Sequence, residues 1–361
     1  MAQEDYAILV GISRYADAGL PELKGPVRDV ELMYKWLVDS NGGNVPPENV
    51  TCLVTNEAKI GDPPPFPPIL TDFVGVLNKI LFKPDQSMIR RPAGRLYLYF
   101  SGHGFCERTS TTPEAALYVA DSTRSANWNI SGTEYARRVR DHGAFGEIVL
   151  VMDCCRDAEL YKMAFPPTLR LAADPALAQG VKLFELYATS RGGKAQERPI
   201  RERDNKVHGL LTHALLRAFD HAAPDLEQLS SRDIKGYIQE NWSALCDGQP
   251  ADLPEIVTPT IGEVTFGRPA PQDVPQGFKV VSVVDGASFT IRSGIKLGVL
   301  AKFTITGGEV HVVRNGLANN IPVVDGRFVV PLPASLCVVW GVSGGSAIEK
   351  DFQVGAADVD L

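Results

Sequence analysis

Two short runs, RLYLYF (95–100) and EIVLVM (147–152), constrain this chain more than anything else in it. Each has the length of a strand, and neither alternates apolar with polar residues, so neither can present a wetted face. Strands of this kind sit in the middle of a parallel sheet that helices cover on both sides. The neighbouring segments fit that scheme. YAILVGI (6–12) is a third apolar run, and Pro26 starts a helix where its missing N–H costs nothing. Val27, Val30, Met33, Tyr34 and Leu37 then share one helical face. VTCLVT (50–55), LFELYATS (183–190) and EIVT (255–258) read as further strands. Helices are expected around 69–81, after the proline-broken loop GDPPPFPP (61–68), and at LLTHALLRAF (210–219) and IKGYIQENW (234–242). The texture changes at GRPAPQDVPQG (267–277), which is suited to a linker. After it FKVVSVV, SFTIRS, KFTIT, EVHVV, RFVVPL and LCVVWGV recur between Gly, Asn and Asp turns, the pattern of a small all-β sandwich. The expected organisation is an α/β domain over 1–265, a mostly parallel sheet flanked by helices, then a linker over 266–277 and a sandwich over 278–361.

In a parallel sheet, ligands gather beyond the carboxyl ends of the strands. Past RLYLYF stands Ser101-Gly102-His103-Gly104, and past EIVLVM stands Asp153-Cys154-Cys155. A histidine and a cysteine leaving two central strands are the minimum equipment for thiol catalysis, with imidazole moving the proton and sulfur attacking a carbonyl. The glycines around His103 are expected to let an extended substrate approach, with the Gly104 N–H left free for an oxyanion. Along an extended strand end, residues i and i+2 point to one side. Asp153 and Cys155 therefore share a face and Cys154 turns into packing, which makes Cys155 the nucleophile.

An apolar strand ending in SGHG, followed by one ending in Asp-x-Cys, resembles the caspase and metacaspase superfamily of cysteine endopeptidases. The separation of His103 from Cys155 is similar to the roughly 50 residues seen in caspases. YAILVGISRY, LKGPVRDVELMYKWL and LYATSRGGKAQE with GLLTHALL resemble the family's first strand, helix start and small-subunit portion. The likeness spans roughly residues 4–260. It implies a Cys155–His103 dyad and an oxyanion site formed by the Gly104 and Cys155 N–H groups. In metacaspases an acid two before the nucleophile and an acid at the helix start select Arg or Lys at P1, the substrate residue whose carbonyl is attacked; here these are Asp153 and Asp29. Ser190 and Arg191 line the cleft or simply end a strand, and Arg191 matches one of the caspase arginines that select Asp, so Asp at P1 is the alternative. Lys162 and Arg170, on the proline-broken connector, are expected self-cleavage sites.

Composition removes other classes. The net charge of -7 argues against binding nucleic acid through counterion release. No apolar run approaches the ~20 residues that cross a bilayer, and the acidic N-terminus does not resemble a secretion signal. Six cysteines without a CxxC pair speak for free thiols in a reducing cytoplasm and against a zinc site. The calcium-binding acids of many metacaspases are missing between 105 and 125, so neither metal nor cofactor is expected. Protein or peptide is then the substrate, with no nucleic acid or membrane partner. The sandwich, without clustered His, Cys or acid, is expected to engage a protein partner or regulator. The rival function is a catalytically silent adaptor that recruits its partner through that sandwich.

Overall fold

A computed structural model describes residues 4–17, 19–55, 67–107, 114–159, 163–167, 173–222 and 228–267 of one compact unit, Met1–Ala270. In a second unit, Pro271–Leu361, it describes the strands. The first unit begins with β1 (Tyr6–Gly11), α1 (Pro26–Val38), β2 (Val50–Val54), α2 (Leu70–Leu81) and β3 (Arg91–Gly102). Three short strands follow, β4 (Gly104–Glu107), β5 (Ala116–Tyr118) and β6 (Asn129–Ile130), then α3 (Gly132–Asp141) and β7 (Phe145–Cys154). Beyond Cys155 come β8 (Asp157–Glu159), α4 (Pro175–Ala178), β9 (Lys182–Tyr187) and the hairpin β10 (Glu197–Ile200) and β11 (Lys206–Gly209). The unit closes with α5 (Leu210–His221), β12 (Gln228–Ser230), α6 (Ser231–Leu245), β13 (Glu255–Val257) and β14 (Thr265–Gly267).

Six strands form the central sheet in the order β13-β9-β7-β3-β1-β2, all parallel except β13, which runs antiparallel along β9. The apolar runs explain why. Ala7, Leu9, Tyr97, Tyr99, Val149 and Val151 pack on one face against α1, α5 and α6. Ile8, Val10, Leu96, Leu98, Ile148 and Leu150 pack on the other against α2 and α3. Both sets are buried, so these runs have no wetted face, and the polar side chains the sheet does enclose, Glu185 among them, are buried with it. At about 1.5–3 kcal/mol for each fully buried Leu, Ile or Val side chain, these two layers fix the register of the strand ends. Alpha1 buries Val30, Met33, Trp36 and Leu37, with Trp36 stacked on Phe219 of α5 at 3.8 Å between ring centroids.

The expected boundary at 265 falls inside β14. Leu229 pairs with Phe266, and the Phe266 ring is buried against Trp36, Phe184 and Phe219. Residues 266 and 267 thus belong to the first unit's sheet structure. In the second unit, six antiparallel strands form one sheet, from Leu317–Pro322 at one edge to Ser346–Gln353 at the other. Gly277–Val281 pairs with Arg327–Pro331 and Val359–Asp360 in a second sheet.

Candidate active site

The neighbourhood of His103 and Cys155 is fixed by two pairings of the same two chain segments. In the central sheet the last β3–β7 pair is Gly102 with Cys154. Just beyond, β4 pairs in parallel with β8, starting at Phe105 and Asp157, in a separate sheet ordered β6-β5-β4-β8. His103 and Cys155 sit between these two pairings, where adjacent chains leave one sheet and join the next. Parallel neighbours lie about 4.8 Å apart across the ladder, so the break brings both side chains to one end of the sheet. Cys154 is fully buried, whereas Cys155 is half-buried.

The glycines flanking His103 have a packing reason of their own. A Cβ at Gly102 would lie 2.5 Å from Tyr15 Oη, and one at Gly104 would lie 2.6 Å from Cys154 Sγ and 2.7 Å from the Ala116 carbonyl oxygen. The protein's own packing demands glycine at both places.

Tyr15 holds the histidine. The His103 N–H donates to Tyr15 Oη at 2.7 Å, and Tyr15 Oη donates to the Ile12 carbonyl at 3.0 Å. The His103 carbonyl accepts the Tyr118 N–H at 3.0 Å, so the residue is gripped from both sides. Its Nε2 lies 2.8 Å from the Pro21 carbonyl oxygen, which can only accept; Nε2 carries the proton and Nδ1 is left as the base. Cys155 Sγ faces the Ala195 carbonyl oxygen at 3.7 Å. Among the described residues the thiol and imidazole share no hydrogen bond; each rests on a carbonyl. Burial pushes the His103 pKa down and the Cys155 pKa up, so both groups are neutral at rest.

Behind the thiol, the hairpin β10–β11 closes over a group of acids. Asp153 is 5% exposed, and its Oδ2 accepts the Thr212 N–H at 3.0 Å and the Thr212 hydroxyl at 2.6 Å. Burial, then the nearby Asp29 charge, lift its pKa to about 7. Asp29 is fully enclosed and has both oxygens engaged: Oδ1 with His208 Nδ1 at 2.7 Å, Oδ2 with the Gly209 N–H at 2.9 Å. Burial holds its pKa well above the carboxylate range, and that of His208 down at about 4. Glu197, at the start of β10, accepts the N–H groups of Lys24 at 3.0 Å and Gly25 at 2.7 Å. Tyr15, Glu197, His208 and Thr212 are contributions that sequence reasoning passed over. Tyr15 and Glu197 each end a segment noted only for its resemblance to the family, His208 stands on an unpatterned segment, and Thr212 lies in a helix whose apolar run gives no hint of its role.

The remaining residues have other partners. Ser190 is exposed, and its carbonyl accepts the Gly193 N–H at 3.0 Å. Arg191 is exposed and donates to the Glu107 carbonyl at 2.8 Å. Lys162 and Arg170 lie outside the described residues. Arg156, directly after Cys155, is 1% exposed; its guanidinium reaches the Glu114 and Thr189 carbonyls at 2.9 Å, pairs with Glu255 and lies 4.5 Å above the Tyr187 ring. It fastens the chain just after Cys155 to its surroundings. No group of three or more His, Cys, Asp or Glu suited to a metal occurs among the described residues, and no described helix is long and apolar enough to cross a membrane.

Comparison with known proteins gives three kinds of likeness. The family described as caspase domain matches residues 4–236. A probable protease of a Desulfuromonadales bacterium is 29% identical over 229 residues, 59% of this chain and 25% of its own. The chain thus matches about a quarter of that relative's length. Among solved structures, caspase-1 of Spodoptera frugiperda is 11% identical with a TM-score of 0.44, over 75% of this chain and 92% of its own. Pro-sf-caspase-1 is 11% identical with a TM-score of 0.38, over 71% and 88%.

Proposed function

The chain belongs to the caspase domain family of peptidases, and from that membership we propose that it is a cysteine endopeptidase using a Cys155–His103 dyad and cleaving after Arg or Lys. The observation that supports the reading is the sheet break, in which both residues fall between the Gly102–Cys154 and Phe105–Asp157 pairings. Substrate enters at the end of the central sheet. The Cys155 side chain rotates off the Ala195 carbonyl toward Nδ1 of His103, a movement in keeping with the looser contacts of catalytic groups before substrate binds. Nδ1 takes the thiol proton as sulfur attacks the scissile carbonyl, while Pro21 keeps the proton on Nε2 and so the ring in its working tautomer. The Gly104 and Cys155 N–H groups receive the oxyanion. The imidazolium then protonates the leaving amine, and water releases the acyl group by the reverse sequence.

The preference for a basic P1 side chain rests on Asp153, two residues before the sulfur, with Asp29 behind it. Arg191, the cation that would favour Asp at P1, donates one of its N–H groups to the Glu107 carbonyl. Matched fluorogenic peptides ending in Arg, Lys or Asp test both halves of the proposal. Cleavage after Arg or Lys that Cys155→Ala abolishes and Cys154→Ala largely spares is the expected result. Cleavage after Asp, or the reverse pattern in the two variants, refutes it. An intact chain that cleaves none of the peptides leaves the adaptor standing.

A further inference from the structure

The hairpin β10–β11 packs on α1 and α5, and these elements gather basic side chains. Arg28 stands in the first turn of α1, Arg203 and Lys206 in the hairpin, and His213 and Arg217 on α5. Arg203 and Arg217 act by charge on His213, and Arg203, Arg28 and Lys206 on His208. Two of these cations have partners: Arg217 pairs with Glu202 at 3.2 Å and Lys206 with Asp204 at 3.9 Å. Arg28 and Arg203 are half-buried, and neither makes a hydrogen bond or ion pair among the described residues. Asp220 and Asp29 attract Arg203 without pairing with it, and both Asp29 oxygens are engaged by His208 and Gly209. Arg203 Nε is enclosed and has no partner, and the same holds for Nδ1 of His213, a residue only 5% exposed. Burial, then the Arg203 and Arg217 charges, hold the His213 pKa down at about 3. Its neutral ring still donates through one N–H.

We propose that Arg28, Arg203 and His213 form a binding site for a phosphate-type anion, with Lys206 and Arg217 at its margin. Enclosed polar groups are nearly always paired, and leaving one without a partner costs about 1–3 kcal/mol. Two enclosed nitrogens and two unpaired guanidinium groups in one place call for an acceptor with several oxygens. Guanidinium forks match phosphate oxygens, and the imidazole adds a third donor. The first turn of α1 adds its helix dipole, which also favours an anion. The attraction is local, because the whole chain carries a net charge of -7 and repels anions in general. The site adjoins the Asp29–His208 pair, so a bound anion ties the hairpin turn to α1 and α5. It is independent of the peptidase reading, since none of its three residues touches the candidate dyad.

Titration calorimetry of the full chain at low ionic strength tests this, with inorganic phosphate, pyrophosphate and phenyl phosphate as probes. The expected result is one-site binding of pyrophosphate that Arg28→Gln and Arg203→Gln each weaken about 10- to 100-fold, as losing a hydrogen bond between charged groups implies. Arg201→Gln removes the same charge from an exposed position in the same turn and is expected to change affinity less than about twofold, since an exposed charge is screened. Binding of phenyl phosphate as well assigns the site to a phosphate carried on a small molecule; binding of the two inorganic probes alone assigns it to the free ion. Melting curves check that each variant is folded. The His213 ring signals, assigned by nuclear magnetic resonance with His213→Gln, give a reading on the wild-type chain that needs neither arginine variant, and they are expected to shift when pyrophosphate is added. A wild-type chain that binds none of the probes, or His213 signals that stay in place, overturns the inference. So does an affinity that the two half-buried arginines do not change, or that Arg201→Gln lowers as much as they do.

Discussion

Replacing Tyr15 by Phe tests the grip on His103 most directly. The hydroxyl accepts the His103 N–H at 2.7 Å and donates to the Ile12 carbonyl at 3.0 Å, and the ring stays 5.1 Å from the imidazole in either protein. Removing one oxygen orphans a backbone N–H in a half-buried site, at a cost of roughly 1–3 kcal/mol. For a unit of this size that corresponds to a fall in Tm of about 2–4 °C per kcal/mol. The functional effect is larger in proportion, because the His103 backbone loses one of its two holds and a displacement near 1 Å can cost about 100-fold in rate. Thermal unfolding followed by fluorescence gives the first quantity, and steady-state cleavage of the best peptide gives the second. The expected variant melts lower and loses kcat more than it gains in KM. A Tyr15→Phe protein that melts lower but keeps full kcat would show that the hydroxyl stabilises without positioning. One that matches wild type in both would refute the argument outright.

Other consequences follow from the same contacts. Asp153, with its folded pKa lifted from 3.8 to about 7, keeps a proton that the unfolded chain loses, so its contribution to stability is present below about pH 4 and is lost as pH rises to about 7. Asp153→Asn is therefore expected to be more stable than wild type at pH 8, by an amount on the order of a few kcal/mol, with the gap closing by pH 4 in denaturant titrations. A gap that does not change with pH would contradict this. In wild type the same proton should depress kcat/KM for an Arg peptide as pH falls through about 7, and spare a citrulline peptide; identical pH profiles would refute the role of Asp153. Gly104→Ala drives a methyl group into Cys154 Sγ and the Ala116 carbonyl. Overpacking of this kind costs about 1–3 kcal/mol, and a variant with unchanged Tm would show that the close approach is not real.

The parts legible in the sequence are those where one physical requirement dominates. Strands buried on both faces must be mostly apolar, and so β1, β3, β7 and β9 stood out and the residues just past β3 and β7 became the natural candidates. Short strands carry no period. Gly104–Glu107, Ala116–Tyr118 and Asp157–Glu159 have three or four residues each, yet the β4–β8 pair they help to form is what fixes the chains on the far side of the candidate dyad. Edge strands hide for another reason: LANNIP and SAIEKDFQ, at the two edges of the larger C-terminal sheet, are polar or charged, as unpaired edges tend to be. The Glu197–His208 hairpin turns through Arg201-Glu202-Arg203-Asp204-Asn205, where Asp204 and Asn205 adopt φ of 56° and 54°. Nothing in that stretch announces that its two ends close over Asp29 and Asp153.

Burial drives the site toward neutrality at rest: the thiol is pushed up, both imidazoles down, and Asp29 and Asp153 up. A neutral thiol beside a neutral imidazole is a weak nucleophile, since the thiolate does the attacking. On the basic-P1 reading, the substrate itself changes this balance. A guanidinium or ammonium entering beside Asp153 favours the ionised carboxylate and displaces its proton, and the charge lost from water is compensated by the new pair. Peptides without a cation leave Asp153 protonated and bring no such compensation. Selectivity would then arise in the free energy of reaching the charged transition state as well as in binding, and should be expressed in kcat for Arg and Lys peptides and not in KM alone.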